Sequence, residues 1–323
     1  MSSLMSDSPA AATPYEVLGV SPTVSHDELR RAYRRLLRET HPDTGGTAVR
    51  FQAVQEAWEL IGDPDDRARY DRGESLTVDA VAGGSAAGGF SATFHPTRSA
   101  ARGATVRARS YGHPGGQARE RFLTLMREWI GRGSDPVDPY DPALVRVAPR
   151  EIRLLLAVAL AEEATARAVS ALGIGFTIWN DVAVHPAASQ STDAKLDHIV
   201  LGPAGLFAIR SADWGSEVKL AKGEVVGPGV ARDEEPFREL HRAAKSFARH
   251  AGVRFTGLIV VVPDDALAVP FDIVQRGRLS GSLLVRRSLL PTVLRDGANA
   301  AGRESVDRAF ELRPRLQEAI RFV

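Results

Sequence analysis

Leu29-Arg30-Arg31-Ala32-Tyr33-Arg34-Arg35-Leu36-Leu37-Arg38-Glu39-Thr40-His41-Pro42-Asp43 is the stretch on which the N-terminal part of the chain turns. An α-helix advances about 100° per residue, so Leu29, Ala32, Tyr33, Leu36 and Leu37 share one arc. Arg30, Arg31, Arg34, Arg35 and Arg38 take the opposite arc, which gives one helix an apolar stripe to pack and a cationic face to display. Downstream, Phe51, Val54, Ala57, Trp58 and Ile61 recur at helical spacing. Two such stripes facing each other predict an antiparallel helical hairpin. Pro42 cannot continue the preceding helix and pushes His41 away from helical backbone angles, while Gly45 and Gly46 free the turn. The expected result is an exposed loop that presents an imidazole and a carboxylate at the tip of a rigid hairpin. The plainer alternative is a solvated basic helix followed by a proline turn.

Taken together, Thr13 to Gly73 resembles the J-domain family in register. Tyr15-Glu16-Val17-Leu18-Gly19-Val20 is similar to its opening helix and Leu29 to Leu36 to its basic second helix. His41-Pro42-Asp43 matches its signature, Phe51 to Leu60 its third helix, and Arg67-Ala68-Arg69-Tyr70-Asp71, after Asp63-Pro64, its short last helix. The resemblance implies binding to a DnaK-type chaperone ATPase and stimulation of its ATP hydrolysis. It assigns partner binding to His41, Pro42, Asp43, Arg30, Arg31, Arg34, Arg35 and Arg38, with Asp43 acting at the contact. The charges suit such a role, because a rigid arginine-rich face steers association with an acidic surface and fixes orientation more than it adds affinity.

A length of 323 residues suggests about two domains. A hydrophobic content of 44% and a charged content of 25% are those of an ordinary soluble protein. Lys and Arg number 41 against 40 Asp and Glu, so there is no overall electrostatic pull toward nucleic acid, which is a weakly supported partner. The absence of cysteine excludes disulfides, thiol nucleophiles and cysteine zinc sites. The longest apolar runs, near Leu154 to Ala161 and Leu258 to Val262, fall short of the roughly 20 residues that span a bilayer. Met1 to Ala12 does not have the pattern of a signal peptide. The expectation is a cytoplasmic chain with no membrane partner, no cofactor, no metal and no catalytic residue.

Met1 to Ala12 is expected to be disordered. Glu74 to Pro149 is rich in Gly, Ala, Pro and Arg and reads as a flexible linker, with one helix near Ala118 to Ile130 where Phe122, Leu125, Met126, Trp129 and Ile130 recur. Phe90 and Phe94 beside glycines resemble the Gly/Phe segment of some J-domain proteins. Arg98, Arg102, Arg107, Arg109 and Arg119, with Tyr111, are candidates for contact with RNA; a solvated tether is the plainer reading. From Arg150 to Val323 helices alternate with strands, at Phe176 to Val184, Leu196 to Leu201, Leu206 to Arg210, Thr256 to Val262 and Gly281 to Val285. The predicted fold class is therefore α+β multidomain: an all-α helical-hairpin domain, a linker, and an α/β domain with a mixed sheet.

The second domain resembles the nuclease-related (NERD) family over Ala157 to Val262. The resemblance rests on Glu162, on Leu196-Asp197-His198-Ile199-Val200-Leu201-Gly202-Pro203, on Gly205-Leu206-Phe207-Ala208-Ile209 and on Trp214-Gly215. It implies a site in which carboxylates on adjacent strands hold a divalent ion while a lysine orients water. Aligned on Ile209 and Trp214, the expected glutamate is Arg210 and the expected lysine is Ala212. A permanent positive charge at a ligand position repels a divalent ion, so Glu162, Asp197, Arg210 and Ala212 form a degenerate nuclease-like site, with Asp197 a candidate partner of Arg210. The domain is then a binding or targeting module whose client or ligand is unknown. Two readings compete: a metal-dependent nuclease carrying a J-domain docking module, in which Glu217-Val218-Lys219 supplies the missing residues opposite Asp197, and an adaptor tethered to RNA by the linker arginines.

Overall fold

In the computed structural model, which describes residues 8–40, 47–72, 107–131, 138–184, 195–296 and 306–323, helices open where the sequence supplies caps. Thr13 and Ser25 each close a capping box with a glutamate three residues on, and so start α1 (Pro14–Leu18) and α2 (His26–Glu39). Thr47 and Asp63 cap α3 (Ala48–Ile61) and α4 (Pro64–Asp71). The stripes read from the sequence form one core: Leu29 and Leu36 meet Val54, Ala57 and Ile61, with Tyr15 and Leu18 of α1 beside them. Tyr33 stacks on Trp58 with ring centroids 4.3 Å apart, which ties α2 to α3. α4 is anchored through Arg67, which donates to the Tyr15 hydroxyl at 2.9 Å and to the carbonyls of Pro22 and Val24. Burial above all, and then the hydrogen bond to Asp71, push the Tyr15 phenol up to about 12.

The C-terminal domain is built on a seven-stranded mixed sheet, as described, whose strands lie in the order 109–111, 177–183, 195–202, 205–211, 257–262, 283–286 and 271–273. Its strands are β1 (Arg109–Tyr111), β2 (Thr177–Ala183), β3 (Lys195–Gly202), β4 (Gly205–Ser211), β7 (Gly257–Val262), β8 (Phe271–Ile273) and β9 (Leu283–Arg286). β2, β3 and β4 run antiparallel, whereas β1 joins β2, and β7 joins β4 and β9, in parallel. The near-continuous apolar strands β3, β4 and β7 are covered on both faces. One face packs α7 (Arg150–Ser170) and α9 (Leu290–Asp296) on Ile178, Val200, Ile209 and Ile259. The other packs α8 (Pro236–Ala251) and α10 (Val306–Ala319) on Ile199, Leu206, Ala208 and Val260. A separate hairpin, β5 (Lys219–Ala221) with β6 (Glu224–Val226), lies beside α8.

Two expected boundaries are corrected. The segment assigned to a linker ending at Pro149 carries β1, α5 (Gly116–Ile130) and α6 (Pro142–Val147), and all three belong to the C-terminal domain from about residue 107 onward. The expected helix is present, and it packs on α7: Phe122 and Met126 meet Ile152 and Leu156. Gly115 makes that approach possible, since a Cβ there would lie 2.6 Å from the Ala159 carbonyl. The arginines of this segment are not all free for RNA, because Arg119 pairs with Glu163 and lies over the Tyr140 ring. Of the tail expected to be disordered, residues 8–11 are packed, with Ala10 only 1% exposed. Its small residues pass over Gly215, where a Cβ would sit 2.1 Å from the Ala11 nitrogen. Gly83, Phe90, Phe94, Arg98 and Arg102 lie outside the described residues.

Candidate functional site

α2 ends at Thr40, whose hydroxyl donates to the Leu36 carbonyl at 2.8 Å, and His41, Pro42 and Asp43 lie outside the described residues. What the structure places is the face that leads to them. Arg30, Arg31, Arg34, Arg35 and Arg38 are all exposed on α2 while Leu29, Ala32 and Leu36 on the opposite arc are buried. Arg35 is 3.9 Å from Glu39, both more than half exposed, Arg30 lies 3.2 Å from the His26 ring nitrogen, and Arg38 donates to the Arg34 carbonyl. Exposed pairs of that kind contribute about 0–1 kcal/mol, so the face remains a cationic surface in water.

The helical domain is held to the C-terminal domain on a different side. Arg153, in the first turn of α7 and 3% exposed, donates to the carbonyls of Ala148, Pro9 and Ala11 and to Glu16 of α1 at 2.5 Å. Burial works against the charged form of Glu16, yet the Thr13 N–H and the Arg153 guanidinium outweigh it and hold the carboxyl below the usual glutamate range. Arg146 of α6 donates to the Tyr70 carbonyl at 2.8 Å and lies over the Tyr70 ring. The docking therefore uses the tail, α1 and α4, and leaves the arginine face of α2 open.

In the C-terminal domain the sheet brings together a cluster that only partly matches expectation. Glu162 of α7 is fully buried and meets Asp197 of β3 and Asp181 of β2 around the ammonium of Lys195. Lys195 Nζ lies 2.7 and 2.8 Å from the two Glu162 oxygens, in hydrogen-bond contact with Asp181, and 3.7 Å from Asp197. Backbone donors complete the network: Gly115 N–H donates to Glu162 Oε2, which it shares with Lys195, Gln117 N–H to Asp181 Oδ2 and Ser211 N–H to Asp197 Oδ2. Asp181 has a left-handed backbone, at φ 51, at the position of β2 between Asn180 and Val182, which keep one continuous register with β3. Burial disfavours a charged Lys195, but the carboxylates of Asp197, Glu162 and Asp181 outweigh it and hold the ammonium charged far above its usual range. Burial, and after it the charge on Asp197, push the Glu162 carboxyl well above the ordinary glutamate range.

Arg210 stands next to this cluster with a different partner from the one expected. Its guanidinium binds Glu239 of α8 at 2.5 Å and Glu234 at 3.2 Å; Glu234 also accepts the Trp214 indole N–H at 3.1 Å. Asp197 instead accepts the Ser211 N–H, so its expected pairing with Arg210 is replaced by two acids from the opposite wall. Ala212 is buried and small. Glu217 and Lys219 are exposed at the β5–β6 hairpin, away from Asp197. Lys195, Asp197, Arg210, Ala212 and Glu239 border a cleft of about 740 Å³. Its charges are mutually neutralised and, among the described residues, no group of three or more His, Asp or Glu is arranged to hold a metal ion.

His198 lies inside a hydrogen-bond network between the strands. It is fully buried, and burial pushes its imidazole down to about 4, so it is neutral. Nδ1–H donates to the Asn180 side-chain oxygen at 2.8 Å and Nε2 accepts from the Ser211 hydroxyl at 3.0 Å. Asn180 passes its own amide to Ser110 and to the Tyr111 carbonyl, so the chain of bonds ties β1, β2, β3 and β4 together.

Comparison with known proteins agrees with both halves of this geometry. Residues 13–71 match the DnaJ domain family and residues 157–262 match the nuclease-related domain family, so the chain carries one domain of each kind. Over 72 residues it is 46% identical to Chaperone protein dnaJ A6 of Oryza sativa subsp. japonica, covering 22% of this chain and 17% of that one. It is 46% identical over 72 residues to Chaperone protein DnaJ of Gloeothece citriformis (21% and 19%). It is 44% identical over 80 residues to Chaperone protein DnaJ of Geobacillus thermodenitrificans (24% and 21%). The chain thus spans about a fifth of the length of these curated relatives. Among the described residues no helix is long and apolar enough to cross a membrane.

Proposed function

We propose that the chain is a J-domain co-chaperone that binds a DnaK-type chaperone ATPase and stimulates its ATP hydrolysis, and that its nuclease-related domain binds a client or ligand without cleaving nucleic acid. The observation that carries this reading is the exposed face of Arg30, Arg31, Arg34, Arg35 and Arg38, left open by a docking that uses the other side of the domain. Such a face orients an acidic partner over the end of α2, where His41-Pro42-Asp43 follows in sequence. The C-terminal reading is supported by Lys195, which puts a covalently tethered cation among the carboxylates that a divalent ion would otherwise need. The test is ATP turnover by a purified DnaK-type chaperone with the intact chain, with His41→Gln and with Asp43→Asn. The intact chain is expected to stimulate turnover and both variants to lose stimulation while keeping their circular dichroism; normal stimulation by the variants would refute the assignment.

A second reading, a metal-dependent nuclease, is favoured by the convergence of Glu162, Asp181 and Asp197 beside a cleft. It requires Mg²⁺- or Mn²⁺-dependent cleavage of DNA or RNA that disappears in Asp197→Ala. Under the co-chaperone reading neither ion produces cleavage.

A further inference from the structure

We infer that the C-terminal domain holds a second site, beside the nuclease-like cleft and sharing Arg242 with it, that binds a small ligand with closely spaced phosphates. A concavity of about 570 Å³ opens between the β5–β6 hairpin, α8 and the turn that joins β8 to β9. Lys222 comes from the hairpin, Arg238, Arg242 and Lys245 from α8, and Arg276 and Arg278 from the turn. The acidic residue lining it is Glu235, so six fixed cations face one carboxylate in a chain whose charges otherwise balance at 41 against 40. Arg238 is answered by Glu235 and Glu224, and Arg242 lies near the charge of Glu239. Lys222, Lys245, Arg276 and Arg278 are exposed and form no ion pair among the described residues. Convergence of like charges from three elements is self-repelling until an anion fills the centre.

The shape and lining select the ligand class. A volume of about 570 Å³ is on the scale of a small-molecule site rather than of a surface that tracks a polymer. Its lining holds no Phe, Tyr or Trp and, as a ring, the imidazole of His241 alone, so it lacks the succession of stacking platforms on which single-stranded bases rest. Arginine forks and lysine point charges in the same wall suit the density of charge in linked phosphates, as in an inorganic oligophosphate or the tail of a nucleoside triphosphate. Lys222 adds an independent sign. It occupies the first position of a two-residue turn with φ 53, followed by Gly223 at φ 82, a conformation that glycine or asparagine adopts more readily than lysine. A cation is thus kept at the hairpin tip against the preference of the backbone.

Isothermal titration of the intact chain with sodium tripolyphosphate, ATP, a single-stranded oligodeoxynucleotide and phosphatidylglycerol vesicles tests the site. Tripolyphosphate and ATP are expected to bind with similar affinity. Arg276→Ala with Arg278→Ala is expected to weaken both by about tenfold or more. Lys222→Gly, which relieves the turn and so does not threaten folding, is expected to weaken them severalfold, while Arg127→Ala with Arg254→Ala, exposed elsewhere, leaves them unchanged. No tripolyphosphate binding at about 1 mM, binding indifferent to the Arg276 and Arg278 changes, or binding of only ATP, the oligonucleotide or the vesicles would each overturn the inference.

Discussion

The helical domain and the nuclease-related domain both invest in positive charge, and they place it oppositely. α2 displays five arginines to solvent with little local compensation, whereas β3 buries the Lys195 ammonium among Glu162, Asp181 and Asp197, and β4 engages Arg210 with Glu234 and Glu239. A charge left in water costs the fold almost nothing and remains available to a partner. A charge taken out of water must be met at once by the protein's own acids, after which it specifies structure rather than reactivity. The same residue types therefore form an exposed cationic surface in one region and an internal ion-pair network in the other.

Removing the buried cation should have the largest effect. Lys195→Met leaves crowded carboxylates without their counter-charge and is expected to cost about 3–5 kcal/mol in urea unfolding. A loss below about 1 kcal/mol would place Lys195 with the surface charges and erase the contrast. Arg153→Met should come next. It strips Glu16 and the Pro9 and Ala11 carbonyls of their donor, and a loss of about 2–4 kcal/mol from the docked state is expected. Hydrogen exchange should then accelerate in α1 and residues 8–12 but not in the sheet.

Acid provides a graded test of the buried network. The imidazole of His198 is depressed from 6.5 to about 4, so its contribution is present above 6.5 and is lost as pH falls through about 4. Stability should decline by up to about 3 kcal/mol across that window, and His198→Gln should flatten the decline. An unchanged pH profile in that variant would remove His198 from the account. The smallest effect belongs to the display surface: Arg35→Ala, which breaks an exposed pair at 3.9 Å with Glu39, should shift stability by less than about 0.5 kcal/mol.

These differences also explain what was legible in the sequence. α2 and α3 were readable because a stripe at helical spacing is the direct imprint of one buried face, and the cores of β3, β4 and β7 because fully buried strands are continuously apolar. β1 was hidden within an arginine- and glycine-rich stretch: three exposed residues carry no alternation, and only the ladder with β2 makes them a strand. The replacements at Arg210 and Ala212 were visible from spacing, but the partner of Arg210 was not, since Glu234 and Glu239 come from beyond the hairpin on the far wall of the cleft. Lys195 gave no signal as a lone lysine before Leu196. Its role depends on the left-handed backbone at Asp181 and on the packing of α7 that brings Glu162 to it, neither of which any single residue encodes. Arg153 resembled an ordinary polar position in a long helix until the N-terminal tail was seen to cover it.

The contrast is tested most directly by the association rate constant of the intact chain with a DnaK-type chaperone, measured at low and at physiological salt for the natural sequence and for Arg34→Glu with Arg35→Glu. The natural sequence should associate more slowly as salt rises, and the variant should be about tenfold slower or more at low salt and nearly independent of salt, with its unfolding midpoint unchanged. Equal rates and equal salt dependence in the two would contradict the assignment of the α2 arginines as the surface held ready for a partner.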